Sequence, residues 1–255
     1  MRKIPVILFL LLNTLLYSNN FWGEIGHRVV GEIATQNLTD KTLKEINIIL
    51  DGESLASVST WADKVKYKPG YEKYITWHYA NMPLNIEYEQ SLKNNKGDIV
   101  YAINHCISIL KDRNSSKQKK SFYLKLLVHF LGDIHQPLHL GRGEDRGGND
   151  IKINHSGKQT NLHSLWDHSI LNKSGMRYDE LSKNIINKYK DQKISLKTPE
   201  YWAFESHQEV KKIYSEVING DSIENDYLID QLSFVKEKLY KGGIRLAGLL
   251  NEIFG

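Results

Sequence analysis

Cysteine is almost missing from this 255-residue chain: Cys106 stands alone, so no intramolecular disulfide can form and stability must come from packing and from any bound ion. Proline is scarce, at five residues, and repeats and low-complexity linkers are absent, which argues against a string of modules and for one domain. A large charge of one sign is lacking too. The formal net charge of +4 includes Arg2 and Lys3 and is too small to argue for a nucleic-acid partner by electrostatics alone. No stretch reaches the roughly 18 uninterrupted apolar residues of a membrane span. The one apolar run, Ile4 to Tyr17, follows the basic start Met1-Arg2-Lys3 and has the length and flank of a signal peptide. The expectation is export, with no stable membrane association once the leader is removed. No lipid-bearing cysteine follows the leader.

What is present is helical periodicity. Amphipathic patterns run over 25–37, 41–50, 55–66, 97–112, 118–136, 162–172, 178–190, 200–218 and 226–253, which predicts a single all-α, mostly helical domain. The exception is Asn149 to Asn154, which alternates as a strand does and leads to a turn at Ser156-Gly157, so a small β-hairpin is expected near 149–160. Thr42 with Glu45 fits a capping box, Pro137 is expected to close the 118–136 helix, and Arg142 to Asn149, with three glycines, reads as a loop. Sequons stand at Asn37, Asn114, Asn154 and Asn172.

The histidines carry the chemistry. His129 and Asp133 are i and i+4 on one predicted helix, and His163 and Asp167 on another, so each pair projects from one face about a turn apart. Zinc takes imidazole nitrogens and carboxylate oxygens in small sets of this kind. Leu126, Leu127, Phe130, Leu131 and Ile134 surround the first pair, and a carboxylate within so apolar a helix needs a partner. His139, just beyond Pro137, can swing back toward the same place and complete the second pair. His27, Asp63 and His78 are further candidates, each weak alone. His135 lies on another helical face and is assigned to the core or to support of the ligands; His105, His155, His168 and His207 lack partners at ligand spacing. Cys106 reads as a small buried hydrophobe.

Together, Trp22-x4-His27, Trp61-Ala62-Asp63, His78, His129-Phe-Leu-Gly-Asp133-Ile-His-Gln-Pro-Leu-His139, Gly147-Gly148-Asn149 and Asn161-Leu-His163-Ser-Leu-Trp-Asp167 resemble the S1/P1 nuclease family, related in fold to zinc phospholipase C. The resemblance runs from Trp22 to about Ile170. It implies a domain over 22–255 behind a signal peptide of residues 1–21, and three zinc ions. Asp63, His78, His129 and Asp133 would hold the first; His139, His163 and Asp167 the second; His27, a shared Asp133 oxygen and the backbone amine and carbonyl of Trp22 the third. The last set requires the mature chain to begin at Trp22.

The implied activity is hydrolysis of single-stranded DNA and RNA to 5′-phosphate products, with 3′-nucleotides also losing phosphate. In the mechanism the resemblance implies, metal-activated water would attack phosphorus and zinc would stabilise the leaving 3′ oxygen. Asp63, Lys66 and Asp133 would be its catalytic residues, the two carboxylates as metal ligands and Lys66 by neutralising charge beside the phosphate. Tyr79, Asn81 and Asn149 match the family's substrate-binding positions, with Asn81 in place of an aspartate. Without cysteine pairs the chain looks bacterial, and a monomer secreted or periplasmic is expected. The alternatives are a zinc phospholipase C-like phosphodiesterase, which uses a glutamate in the second clamp, and a non-catalytic zinc- or nucleic-acid-binding protein.

Overall fold

The computed structural model describes residues 22–255, so the expected leader lies outside the described residues. Eleven α-helical segments follow in order: α1 (Trp22–Thr35), α2 (Asp40–Ile49), α3 (Leu55–Val58), α4 (Trp61–Val65), α5 (Ile99–Lys111), α6 (Lys117–Asp133), α7 (Leu162–Ser164), α8 (Ile170–Asn172), α9 (Tyr178–Tyr189), α10 (Pro199–Glu216) and α11 (Asn225–Phe254). Strands β1 (Lys152–His155), β2 (Lys158–Asn161) and β3 (Ser222–Ile223) form one small sheet. The mostly helical expectation holds. The hairpin β1–β2 is antiparallel with Lys152 opposite Asn161, and β3, which no periodicity announced, pairs parallel to β1 on its other side.

The long C-terminal helix α11 packs along α1, which also meets α3, α6 and α9. The buried side of α1 is Val29, Val30, Ile33 and Ala34, none of which is exposed. Burying such side chains stabilises by roughly 1.5–3 kcal/mol each. The core continues through Leu124, Leu127, Phe130 and Leu131 of α6 to Trp166 and Ile170. Because α1 and α6 both lie in this core, His27 and Asp133 are carried into the interior by apolar neighbours.

Three boundaries depart from the expected ones. Thr39, not Thr42, caps α2: its hydroxyl accepts from the Thr42 amide, and Thr42 is buried beneath it. The 55–66 pattern breaks into α3 and α4 around Ser59 and Thr60. Proline does not end α6, which stops at Asp133; Pro137 instead opens a 3-10 turn, Pro137–Leu140, where its missing N–H costs nothing. Between α7 and α8 the helix widens into a π-turn, Leu165–Ser169. Among the described residues no helix is long and apolar enough to cross a membrane.

Candidate metal centre and cleft

Asp133 is 3% exposed and lies at the centre of the site. Its Oδ1 is 3.2 Å from His27 Nε2 and 3.7 Å from His139 Nδ1; its Oδ2 is 3.0 Å from His78 Nδ1 and 3.1 Å from His129 Nε2. Asp63 Oδ1, from α4, approaches His129 Nε2 at 3.6 Å and His78 Nδ1 at 3.8 Å. The second group lies across the cleft: His163 Nε2 is 3.3 Å and His139 Nε2 3.9 Å from Asp167 carboxylate oxygens. Three ligand-sized groups result, His27–His129–Asp133, Asp63–His78–His129 and His139–His163–Asp167.

Backbone carbonyls accept but never donate, so they fix which nitrogens point at the site. His129 Nδ1 donates to the Ser59 carbonyl at 2.7 Å, His139 Nδ1 to His78 at 2.6 Å, and His163 Nδ1 to Gly147 at 2.7 Å. Each Nε2 is therefore free to offer a lone pair, the usual arrangement behind a metal-ligating histidine. The second carboxylate is oriented likewise: Gln136 Nε2 donates to Asp167 Oδ1 at 2.7 Å, while Gln136 Oε1 accepts from the Leu138 amide.

The donor set fits a cation. His129 Nε2 and His78 Nδ1 are 3.1 Å apart, and both stand against the same Asp133 oxygen. One proton cannot serve all these contacts. Ligand atoms around tetrahedral zinc are separated by roughly 3.3 Å, and most of the distances here lie near that value. His27 Nδ1 and His78 Nε2 are buried without a hydrogen-bond partner, so both rings are held by packing and by what their other nitrogen faces. Gly132 leaves the room for this: a Cβ there would stand 2.2 Å from His27 Nδ1.

The electrostatics follow from crowding. Burial pushes the Asp133 carboxyl upward, but His129 and His139 outweigh it and hold it well below the ordinary carboxylate range. Burial likewise opposes, and His163 and His139 impose, a low value at Asp167. His78, deprived of water, falls to about 4, whereas at His139 Asp133 and Asp167 overcome burial and raise the ring to about 9.

Lys66 Nζ donates to Asp63 Oδ1 at 2.7 Å and faces the open cleft. The segment after His78 is extended and aligned with the 3-10 turn through Ala80 N–H to the His139 carbonyl and Met82 N–H to Gly141. Ala80 and Met82 are buried, so by alternation Tyr79 and Asn81 line the cleft, joined there by Asn149 and Arg146. The described candidates thus line one cavity system, save His129, which is fully buried against Asp133 beneath it. At Trp22 the backbone opens α1, and the expected coordination by its amine lies outside what is described. Sequence reasoning missed Gln136 as the partner of Asp167, although it sits inside the strongest motif; the Ser59 and Gly147 carbonyls had no signature to find. Outside the cleft, His135 is buried with Nδ1 donating to Leu131 and Nε2 accepting from Arg245, and His207 donates to Leu140.

A mostly helical domain with histidines and carboxylates clustered at a cleft has the make-up of a candidate metal centre. The S1/P1 Nuclease family profile matches residues 22–255. The chain is 30% identical to Endonuclease 2 of Arabidopsis thaliana over all of its own length and 99% of that protein. It is 28% identical to Nuclease S1 of Aspergillus oryzae (91% of each chain) and 26% identical to Nuclease P1 of Penicillium citrinum (92% of this chain, 98% of that one). The chain belongs to the S1/P1 nuclease family and is a phosphodiesterase acting on nucleic acid.

Proposed function

We propose that the protein is an exported, monomeric, zinc-dependent endonuclease that cleaves single-stranded DNA and RNA to 5′-phosphate products and removes phosphate from 3′-nucleotides. The observation that carries this reading is the convergence of seven histidine and aspartate ligand candidates around Asp133 on the floor of a cleft walled by Lys66, Tyr79, Asn81 and Asn149. Three zinc ions are assigned as follows: Asp63, His78, His129 and Asp133 hold one, His139, His163 and Asp167 another, and His27, Asp133 and the Trp22 backbone a third. Residues 1–21 are assigned as the leader, and the mature protein as periplasmic or secreted.

Zinc held by these residues would supply water of pKa about 7 and offset the charge of the phosphate and of the leaving oxygen. The chain's own groups do the rest. Lys66, tied to Asp63, directs its ammonium at a non-bridging phosphoryl oxygen. Tyr79 offers an aromatic face to a base, and the Asn81 amide bonds its edge as donor and acceptor. A base must leave its stack to reach them, so unpaired strands are favoured.

Protein reconstituted with zinc is expected to release acid-soluble 5′-phosphorylated products from denatured DNA and from RNA much faster than from duplex DNA, and phosphate from 3′-AMP. Phosphocholine from lecithin with no nucleotide release would turn the assignment to a phospholipase C. Binding of these substrates without hydrolysis would make the cleft a non-catalytic receptor.

A further inference from the structure

Beyond the cleft lies a buried carboxylate that the chemistry above does not use. Asp145 is 8% exposed and sits in the loop between the Pro137–Leu140 turn and β1. Its Oδ1 accepts from the Gly148 amide at 2.8 Å and from the Tyr214 hydroxyl of α10 at 2.8 Å; its Oδ2 accepts from Arg142 Nε at 2.8 Å. The Arg142 guanidinium lies 4.1 Å from the centre of the Tyr214 ring. The Asp145 carbonyl accepts from Asp150 N–H, which closes the loop.

What this cluster holds is an unfavourable piece of backbone. Arg146, Gly147 and Gly148 have φ of 53°, 63° and 84°, three left-handed residues in a row. Nothing larger than glycine fits at 147, where a Cβ would stand 2.4 Å from the Leu138 carbonyl oxygen and 3.5 Å from His163 Nδ1. The turn presents two carbonyls to one histidine: Gly147 accepts from His163 Nδ1 at 2.7 Å, and Gly148 from the His163 amide at 3.3 Å. The tautomer and aim of that imidazole are therefore set by where the turn sits.

We infer that Asp145, latched by Tyr214 and Arg142, is a positioning residue for His163: it fixes the left-handed turn whose Gly147 carbonyl holds Nδ1 and leaves Nε2 for the metal shared with His139 and Asp167. This rests on the reading of that group as a metal site. Through Tyr214 the latch ties α10 to this turn, while the same helix braces the neighbouring Pro137–Leu140 turn separately, His207 Nδ1 donating to the Leu140 carbonyl.

Zinc stoichiometry and affinity, measured by competition with a chromophoric chelator, test the inference, together with the visible spectrum of the cobalt(II)-substituted protein and the melting temperature. Asp145→Ala is expected to weaken one ion about 10–100-fold, the range for removing a group that orients a ligand, and to alter the cobalt bands while the other ions stay. Asp145→Asn, whose amide oxygen still accepts from Gly148, is expected to recover most of that loss. Tyr214→Phe removes a single hydroxyl and is expected to give an intermediate loss; it decides the matter should Asp145→Ala not fold. Unchanged zinc affinity and cobalt spectrum in Asp145→Ala, or in Tyr214→Phe if it stands alone, would overturn the inference even if the variants melt earlier. Wild-type protein that binds no zinc would instead remove the metal reading itself.

Discussion

Asp133 has two carboxylate oxygens and four imidazoles within 3.7 Å of them, two on each side. Substitution by asparagine keeps the volume but exchanges one acceptor for a donor aimed at nitrogen lone pairs. Asp133→Asn is therefore expected to lose more than one zinc ion and to reduce nuclease activity by about 100-fold or more, beyond the effect of groups that merely orient a ligand; metal analysis beside a DNA-release assay checks both. Gly132 permits a narrower experiment. Alanine suits a helix better than glycine by about 1 kcal/mol, but its Cβ would collide with His27, whose ring is stacked on His129 with centroids 3.9 Å apart. Gly132→Ala is expected to displace His27 and cost the ion it holds while the His139–His163–Asp167 group keeps its own, as a metal count on the folded variant would reveal.

At the scale of elements, helix α5 shows how much one cap supports. Asp98 accepts from the Val100 and Tyr101 amides and also from the buried Tyr88 hydroxyl. Asp98→Ala removes the cap and orphans a phenol, an expected loss of roughly 2–4 kcal/mol readable as a shift in the urea midpoint. Elements were legible in the sequence where their signal is local and periodic. His129 with Asp133 and His163 with Asp167 could be paired because helical spacing alone puts i and i+4 on one face, and the hairpin because alternation precedes Ser156-Gly157. The break between α3 and α4 was not legible, since Ser54 through Lys66 keeps an apolar rhythm across it. Nor was β3: two residues paired 68 positions away, Asn154 to Ser222, carry no pattern of their own. The convergence of Tyr79 and Asn81 with Asn149 depends on bonds from Ala80 and Met82 to the 3-10 turn, which only the tertiary fold supplies.

Across the whole molecule, the ligand candidates are drawn from α1, α4, α6, α7, the 3-10 turns Glu72–His78 and Pro137–Leu140, and the π-turn. An ion held at such a place binds the folded chain and not the unfolded one, so free metal at about 1,000 times its dissociation constant adds about 4 kcal/mol. Exhaustive chelation is expected to abolish hydrolysis and lower the melting temperature by roughly 10 °C, and added zinc to restore both, as calorimetry and the DNA assay would register. Activity surviving chelation would remove zinc from the reaction. The solitary Cys106, buried with its thiol pushed up out of the reactive range, then acquires a wider meaning. An enzyme stapled by disulfides is vulnerable to reductants; in the metal reading proposed above, the cross-links between distant segments would be coordinate bonds. The durability of this protein should then be indifferent to dithiothreitol and governed by competition for trace metal with its surroundings.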